Sequence, residues 1–109
     1  MDISITSFEN IPVVRVIGDI DMAVAPEFDR ALETHSDGFR KPLLIDMSGC
    51  QFLDSGALNV LLQGVRRIEP SGWLGGVGAN RNLRRVFEIV ALTDDPRFRV
   101  IDDLSVPRG

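Results

Sequence analysis

The sequence predicts an α/β fold: a mainly parallel β-sheet covered by helices, with its first strand antiparallel to a neighbour. Three observations carry this expectation. The 109 residues match one ordinary domain and are too few for two separate cores. Hydrophobic residues make up 44% and charged residues 26%, a globular rather than a disordered balance. Short strand-like runs alternate with stretches of helical periodicity in the order β-β-α-β-α-β-α-β, which sets parallel strands beneath crossover helices.

Each element has its own signal. ISITSF (3–8) alternates as a half-exposed strand does, and Asn10 to Pro12 read as a turn. VVRVI (13–17) is a second strand, stopped by Gly18. Pro26 opens a helix near its first turn, where the missing N–H does no harm; Phe28, Ala31 and Leu32 continue it until it fades at Ser36-Asp37-Gly38. PLLIDM (42–47) is a continuous apolar run, as expected of a strand buried on both faces. From Ser55, residues Leu58, Leu61, Leu62 and Val65 recur at helical spacing, predicting a helix over 55–69 closed by Pro70 and Gly72. WLGGVGA (73–79) is a glycine-diluted strand. Asn80 is placed to cap a third helix whose inner face is Leu83, Val86, Phe87 and Val90. FRVID (98–102) is the last strand. The core is expected to contain Leu44, Ile45, Leu58, Leu61, Leu62, Val65, Val86 and Phe87.

The inventory restricts the chemistry. One histidine and one cysteine cannot supply a Cys/His zinc set. Cys50 has no second cysteine to pair with, which suits a reducing cytoplasm. No charged-then-apolar leader and no apolar run of about 18 residues is present, so neither a signal peptide nor membrane insertion is expected. A net charge of −4 and a pI near 4.8 argue against nucleic acid as a partner. His35, in the polar stretch ETHSDG, reads as a solvated surface residue. No nucleophile–base pair can be named, so no enzyme, catalytic residue, cofactor or metal is expected. GWLGGVG breaks the G-x-G-x-x-G spacing, with Arg81 at the third glycine position, and lacks a P-loop lysine. Arg66, Arg67, Arg81, Arg84 and Arg85 form local basic patches of the kind a solvated helix face carries.

Two loops stand out. Loops that follow parallel strands gather at one end of the sheet, where ligands and partners bind. One such loop, GDIDMA (18–23), carries Asp19 and Asp21; the other, SGCQFLDSG (48–56), carries Asp54 and Ser55 just before a helix. Asp54 or Ser55 can be simply a helix cap. Paired carboxylates are also the raw material of acid/base catalysis or a magnesium site, although no basic or phosphate-cradling element accompanies them here.

The stretches VVRVIGDIDMAVAPEF, LLIDMSGCQFLDSGALNVLL and NLRRVFEI together resemble the STAS domain of bacterial anti-sigma factor antagonists and sulphate-transporter tails. The most specific parts are Gly18-Asp19-Ile20-Asp21 after the second strand and the FLDS run into the second helix. The resemblance implies one STAS-like domain over 1–109, a small mixed β-sheet with helices packed mainly on one face. In the antagonists it resembles, the loop reads Asp-Ser-Ser-Gly or Asp-Ser-Thr-Gly, and the second hydroxyl residue is phosphorylated by the anti-sigma factor, itself a kinase. A gap-free overlay sets Asp54 on the family's Asp, Ser55 on the first Ser, Gly56 on the acceptor and Ala57 on the glycine. The acceptor hydroxyl is missing. The implied function is a cytoplasmic protein-binding module that docks a kinase-type anti-sigma factor, and so regulates sigma-dependent transcription of the stress-response kind, with an altered or absent phosphorylation switch. The implied partner surface is Asp19, Asp21, Asp54, Ser55, Gly56 and Asn59, with Ser55 as the phosphorylation candidate. Asp21 and Asp54, at loop ends, are expected to be replaceable at little cost in stability. The alternative is a STAS subunit that binds the ATPase of a membrane lipid transporter, since such subunits often lack the acceptor. A weak homodimer stays open.

Overall fold

A computed structural model describes residues 1–104. The elements run β1 (Asp2–Phe8), β2 (Ile11–Ile17), α1 (Ala25–His35), β3 (Leu43–Gly49), α2 (Ser55–Arg66), β4 (Leu74–Val77), α3 (Arg81–Ile89), a 3₁₀ turn (Leu92–Asp94) and β5 (Phe98–Ile101). Among the described residues the strands form one sheet in the order β1-β2-β3-β4-β5. β1 is antiparallel to β2, and the remaining pairs are parallel. The predicted mixed α/β architecture is therefore what the chain adopts.

Strand alternation sorts the side chains onto two faces. Val14 and Val16 of β2, Leu43, Ile45 and Met47 of β3, Leu74 of β4 and Phe98 of β5 point into one cluster. All three helices pack on that face, through Phe28 and Leu32, Ala57, Leu61 and Val65, and Leu83 and Phe87. The opposite face carries a smaller cluster of Val13, Leu44 and Val77, flanked by Trp73 and Ile101. Gly75 is required there: a Cβ at this position would stand 2.9 Å from both the Trp73 ring and Leu44. Arg99 stacks over Trp73 at 4.2 Å, so the indole shields the sheet beneath it.

Several expectations need correction. The first turn is Glu9–Asn10, both with positive φ (51° and 67°), and Ile11 and Pro12 already belong to β2. Pro12 fits a strand because the β2–β3 ladder begins only at Val13. α2 ends at Arg66 rather than at residue 69. Its buried stripe is Ala57, Leu61, Gly64 and Val65; Leu58 and Leu62 flank the stripe and are only partly buried, as is Val86 on α3. The small residues win the centre because α2 lies close to its neighbours, with Gly64 facing the Phe39 ring at 3.2 Å from where a Cβ would be. No helix among the described residues is long and apolar enough to cross a membrane.

Candidate functional site

The loops after β2 and β3 are zipped together beyond the end of the sheet. The Gly18 N–H donates to the Gly49 carbonyl (2.9 Å), the Ile20 N–H to Phe52 (3.1 Å), and the Asp54 N–H to Ile20 (3.1 Å). Ile20 and Leu53 form an isolated parallel bridge, and both side chains are buried. Gly18 adopts φ +98°, a conformation that side chains resist, which lets β2 end abruptly and turn into this zip.

The two conspicuous acids have structural duties. Asp54 is the N-cap of α2, and its Oδ1 accepts from the Ala57 N–H at 3.0 Å. Its Oδ2 accepts from the Met22 N–H at 2.7 Å, so one carboxylate clasps the other loop to the helix start. Asp21 holds its own loop: Oδ1 accepts from the Ala23 N–H (3.0 Å) and the Val24 N–H (3.2 Å), just before α1. Asp54 is therefore not a loop-end residue that can be replaced without a cost in stability. Asp19, Asp21, Ser55 and Asn59 are exposed, while Gly56 is half-buried. Ser55 is the first residue of α2; since Asp54 supplies the cap, the Ser55 hydroxyl is not held in that role. A Cβ at Gly56 would lie 3.3 Å from both Met22 Cα and Asp54 Oδ1, so the 18–24 loop passes close over the helix start and would have to give slightly to admit a side chain there.

Two residues escaped the sequence reading. Met22 is 68% exposed and Phe52 is 57% exposed, one on each loop of the zipped pair. For Phe52 a signal existed. Leu53 alternates with it in an extended segment, so once Leu53 turns inward Phe52 must turn outward. Nothing local distinguishes Met22. Cys50, behind Phe52, is buried; its thiol donates to the Phe52 carbonyl at 3.4 Å, and burial pushes it above its ordinary value of 9.0.

The next helix start leans on the same loop. Asn80 caps α3, accepting from the Leu83 N–H at 2.8 Å, while its Nδ2 donates to the Gln51 carbonyl at 3.2 Å. Around it Arg81, Arg84 and Arg85 line a shallow depression with Glu88. Arg84 is engaged by the Ala79 carbonyl and by Asp102. Arg67 pairs with Asp29 at 2.8 Å and lies 4.5 Å over the Phe39 ring. Beside that pair Asn59, Val60 and Gln63 line a second depression between α1 and α2. His35 is half-buried at the end of α1, away from the acidic loops. Among the described residues no three His, Cys, Asp or Glu side chains gather as a metal site.

This zipped, acid-clasped helix start can be set beside known proteins. A crystallised anti-sigma factor antagonist from Mycobacterium paratuberculosis superimposes with a TM-score of 0.77 at 24% identity, over 90% of this chain and 84% of that one. A STAS-domain protein from Planctomyces limnophilus gives 0.76 at 17% identity, over 94% and 92%. The Bacillus cell-fate determinant SpoIIAA in its phosphorylated form gives 0.66 at 16%, over 91% and 90%. At these identities the likeness establishes the fold. Among curated proteins no sequence match was found. The sequence itself matches, over residues 4–102, the family described as "Mlab, STAS domain", and the chain belongs to that family.

Proposed function

We propose that the chain is a non-enzymatic protein-binding module of the anti-sigma-antagonist type, acting in the cytoplasm as a single domain. It docks its partner through the zipped loops 18–24 and 50–56 and the exposed side of the first turns of α2. The observation that carries this reading is the pair of exposed apolar side chains, Met22 and Phe52, on two loops held rigid by the Asp54 clasp. Large apolar anchors on a preorganised frame lose little conformational freedom on docking, and such residues carry most of an interface's energy. Asp19, Asp21, Ser55 and Asn59 surround them as a polar rim, where the acids accelerate encounter and set specificity more than affinity.

The partner is a kinase-type anti-sigma factor, and the switch by phosphorylation is altered. Gly56 stands where the resembling antagonists carry their acceptor hydroxyl, and phosphoryl transfer needs a hydroxyl in line with the donor. Ser55 is exposed and uncapped, but it lies one residue early, about 100° around the helix. A second reading, a subunit docked on the ATPase of a membrane lipid transporter through the same surface, is favoured by Gly56.

Capture with the purified chain, partner identification by mass, and titration calorimetry of the reconstituted pair test both readings. Met22→Ser and Phe52→Ser should each weaken binding about tenfold or more, the usual penalty at an anchor. Asp19→Lys should mainly slow association, and more so at low salt. A captured anti-sigma kinase supports the first reading and a transporter ATPase the second. Normal binding by both anchor variants would remove this surface from consideration. With the kinase and ATP, intact mass should stay unphosphorylated; an efficient phosphate addition lost in Ser55→Ala would move the switch to Ser55.

A further inference from the structure

The chain holds its sulfur in Met1, Met22, Met47 and Cys50, and the fold exposes these residues very unequally. Met47 is 0% exposed in the main core cluster, and Met1 packs half-buried against the same cluster. Cys50 is 2% exposed. Burial pushes its thiol above the ordinary value, so little of the reactive thiolate is present at neutral pH. Met22 stands out from the surface, 68% exposed and outside both apolar clusters. Its backbone is nevertheless fixed. The Met22 N–H donates to Asp54 Oδ2, and the Ala23 and Val24 N–H groups donate to Asp21 Oδ1. A solvent-facing thioether is thus carried on a tied loop, while the other three sulfurs are shielded.

We propose that Met22 is the oxidation site of this chain, and that its sulfoxide is a reversible off-state for docking at the zipped loops. This rests on the docking surface proposed above and adds its regulation. The oxidant is a peroxide. A lone pair of the Met22 Sδ attacks one peroxide oxygen, and the O–O bond breaks as the S–O bond forms. The second oxygen leaves as hydroxide and takes the proton of the first, giving sulfoxide and water. Sulfur loses two electrons and the peroxide gains them. In the return step a dithiol reductase supplies two electrons, becomes a disulfide, and the sulfoxide oxygen departs as water. The side chain changes from apolar and flexible to polar and chiral. An apolar partner surface that receives the thioether offers the new oxygen no hydrogen bond, so docking strips its water without replacement. The fold is spared, because the hydrogen bonds of the loop come from backbone groups and carboxylates rather than from sulfur.

Treatment of the purified full chain with dilute hydrogen peroxide, quenching with catalase and peptide mapping by mass test the site. Met22 should be oxidised several-fold faster than Met1, Met47 or Cys50, with the far-ultraviolet spectrum and thermal unfolding unchanged. Faster oxidation at any of the other three, or unfolding that accompanies Met22 oxidation, would overturn the proposal. Hydrophobic-interaction chromatography reads the surface without a partner. The oxidised chain should elute earlier than the untreated one, and unchanged retention would count against the switch. Calorimetry with the captured partner reads docking itself. The quenched, oxidised chain should bind about tenfold or more weakly, the penalty expected at an anchor, and recover after methionine sulfoxide reductases of both stereospecificities. Met22→Leu, whatever affinity it starts from, should bind equally before and after peroxide. Full binding by the Met22 sulfoxide, or a peroxide-induced loss in Met22→Leu, would each defeat the inference. Phe52→Ser keeps the two readings apart. If it weakens binding while the sulfoxide does not, only the redox inference falls; if Phe52→Ser and Met22→Ser both bind normally, the docking surface itself falls, whatever the oxidation map shows.

Discussion

The helix starts of α2 and α3 use one backbone device for two different chemistries. Each is capped by a side chain that accepts the N–H three residues on, Asp54 for Ala57 and Asn80 for Leu83. Each cap also reaches a neighbouring loop, Asp54 accepting from Met22 and Asn80 donating to Gln51. Around α2 stand acids and two exposed apolar side chains; around α3 stand three arginines and Glu88. A cap alone therefore says nothing about function. What separates the two regions is the pair of exposed apolar side chains, Met22 and Phe52, on the hydrogen-bonded loops beside the first. An anion also matches the positive end of a helix better than a neutral amide does, which suits Asp54 to the harder task of joining two loops.

The largest expected effect lies where the two helices are alike. Leu61 on α2 and Leu83 on α3 are both fully buried, and each change to Ala should cost about 2–5 kcal/mol in denaturant unfolding. A cost below about half a kilocalorie for either would mean that its helix is rotated from the packing described here. The caps should then separate the two regions. Asn80→Ala should cost about 1 kcal/mol, the usual loss of a cap, whereas Asp54→Ala also releases the Met22 N–H and should cost about 2 kcal/mol. Cys50 reports the difference independently. Its buried thiol should react slowly with iodoacetamide at neutral pH, faster as pH rises toward its elevated pKa, and several-fold faster in Asp54→Ala than in Asn80→Ala. Equal losses and equal labelling would remove the clasp.

The smallest effect concerns Gly56. Replacing a helical glycine by alanine normally stabilises by about 0.5–1 kcal/mol, but here the new methyl presses on Met22 and Asp54 at 3.3 Å. The two should nearly cancel, leaving Gly56→Ala within about half a kilocalorie of wild type by thermal unfolding. A loss of about 2 kcal/mol or more would show that the 18–24 loop cannot give way, and that Gly56 is demanded by packing.

What the sequence determined by itself is what short range controls. The period-two runs, the helical repeats and the cap at Asn80 specified the elements and their order, because each depends on neighbours within one or two turns. The FLDS run likewise pointed to a helix start with Asp54 as a possible cap. The first turn was misplaced because Pro12 is a turn signal locally, and only the ladder beginning at Val13 makes it harmless in a strand. Tertiary structure alone decided the rest. The bond from Met22 to Asp54 spans 32 residues, and no periodicity carries such a pairing. The close approach that turned Ala57 and Gly64 rather than Leu58 and Leu62 to the centre of the α2 interface depends on where Phe39 lies. Met22 is left exposed where its N–H meets the Asp54 carboxylate, while Ile20 and Leu53 are buried at their bridge. Burial is a property of what comes to lie opposite, and for this site the opposite residues are far away in the chain.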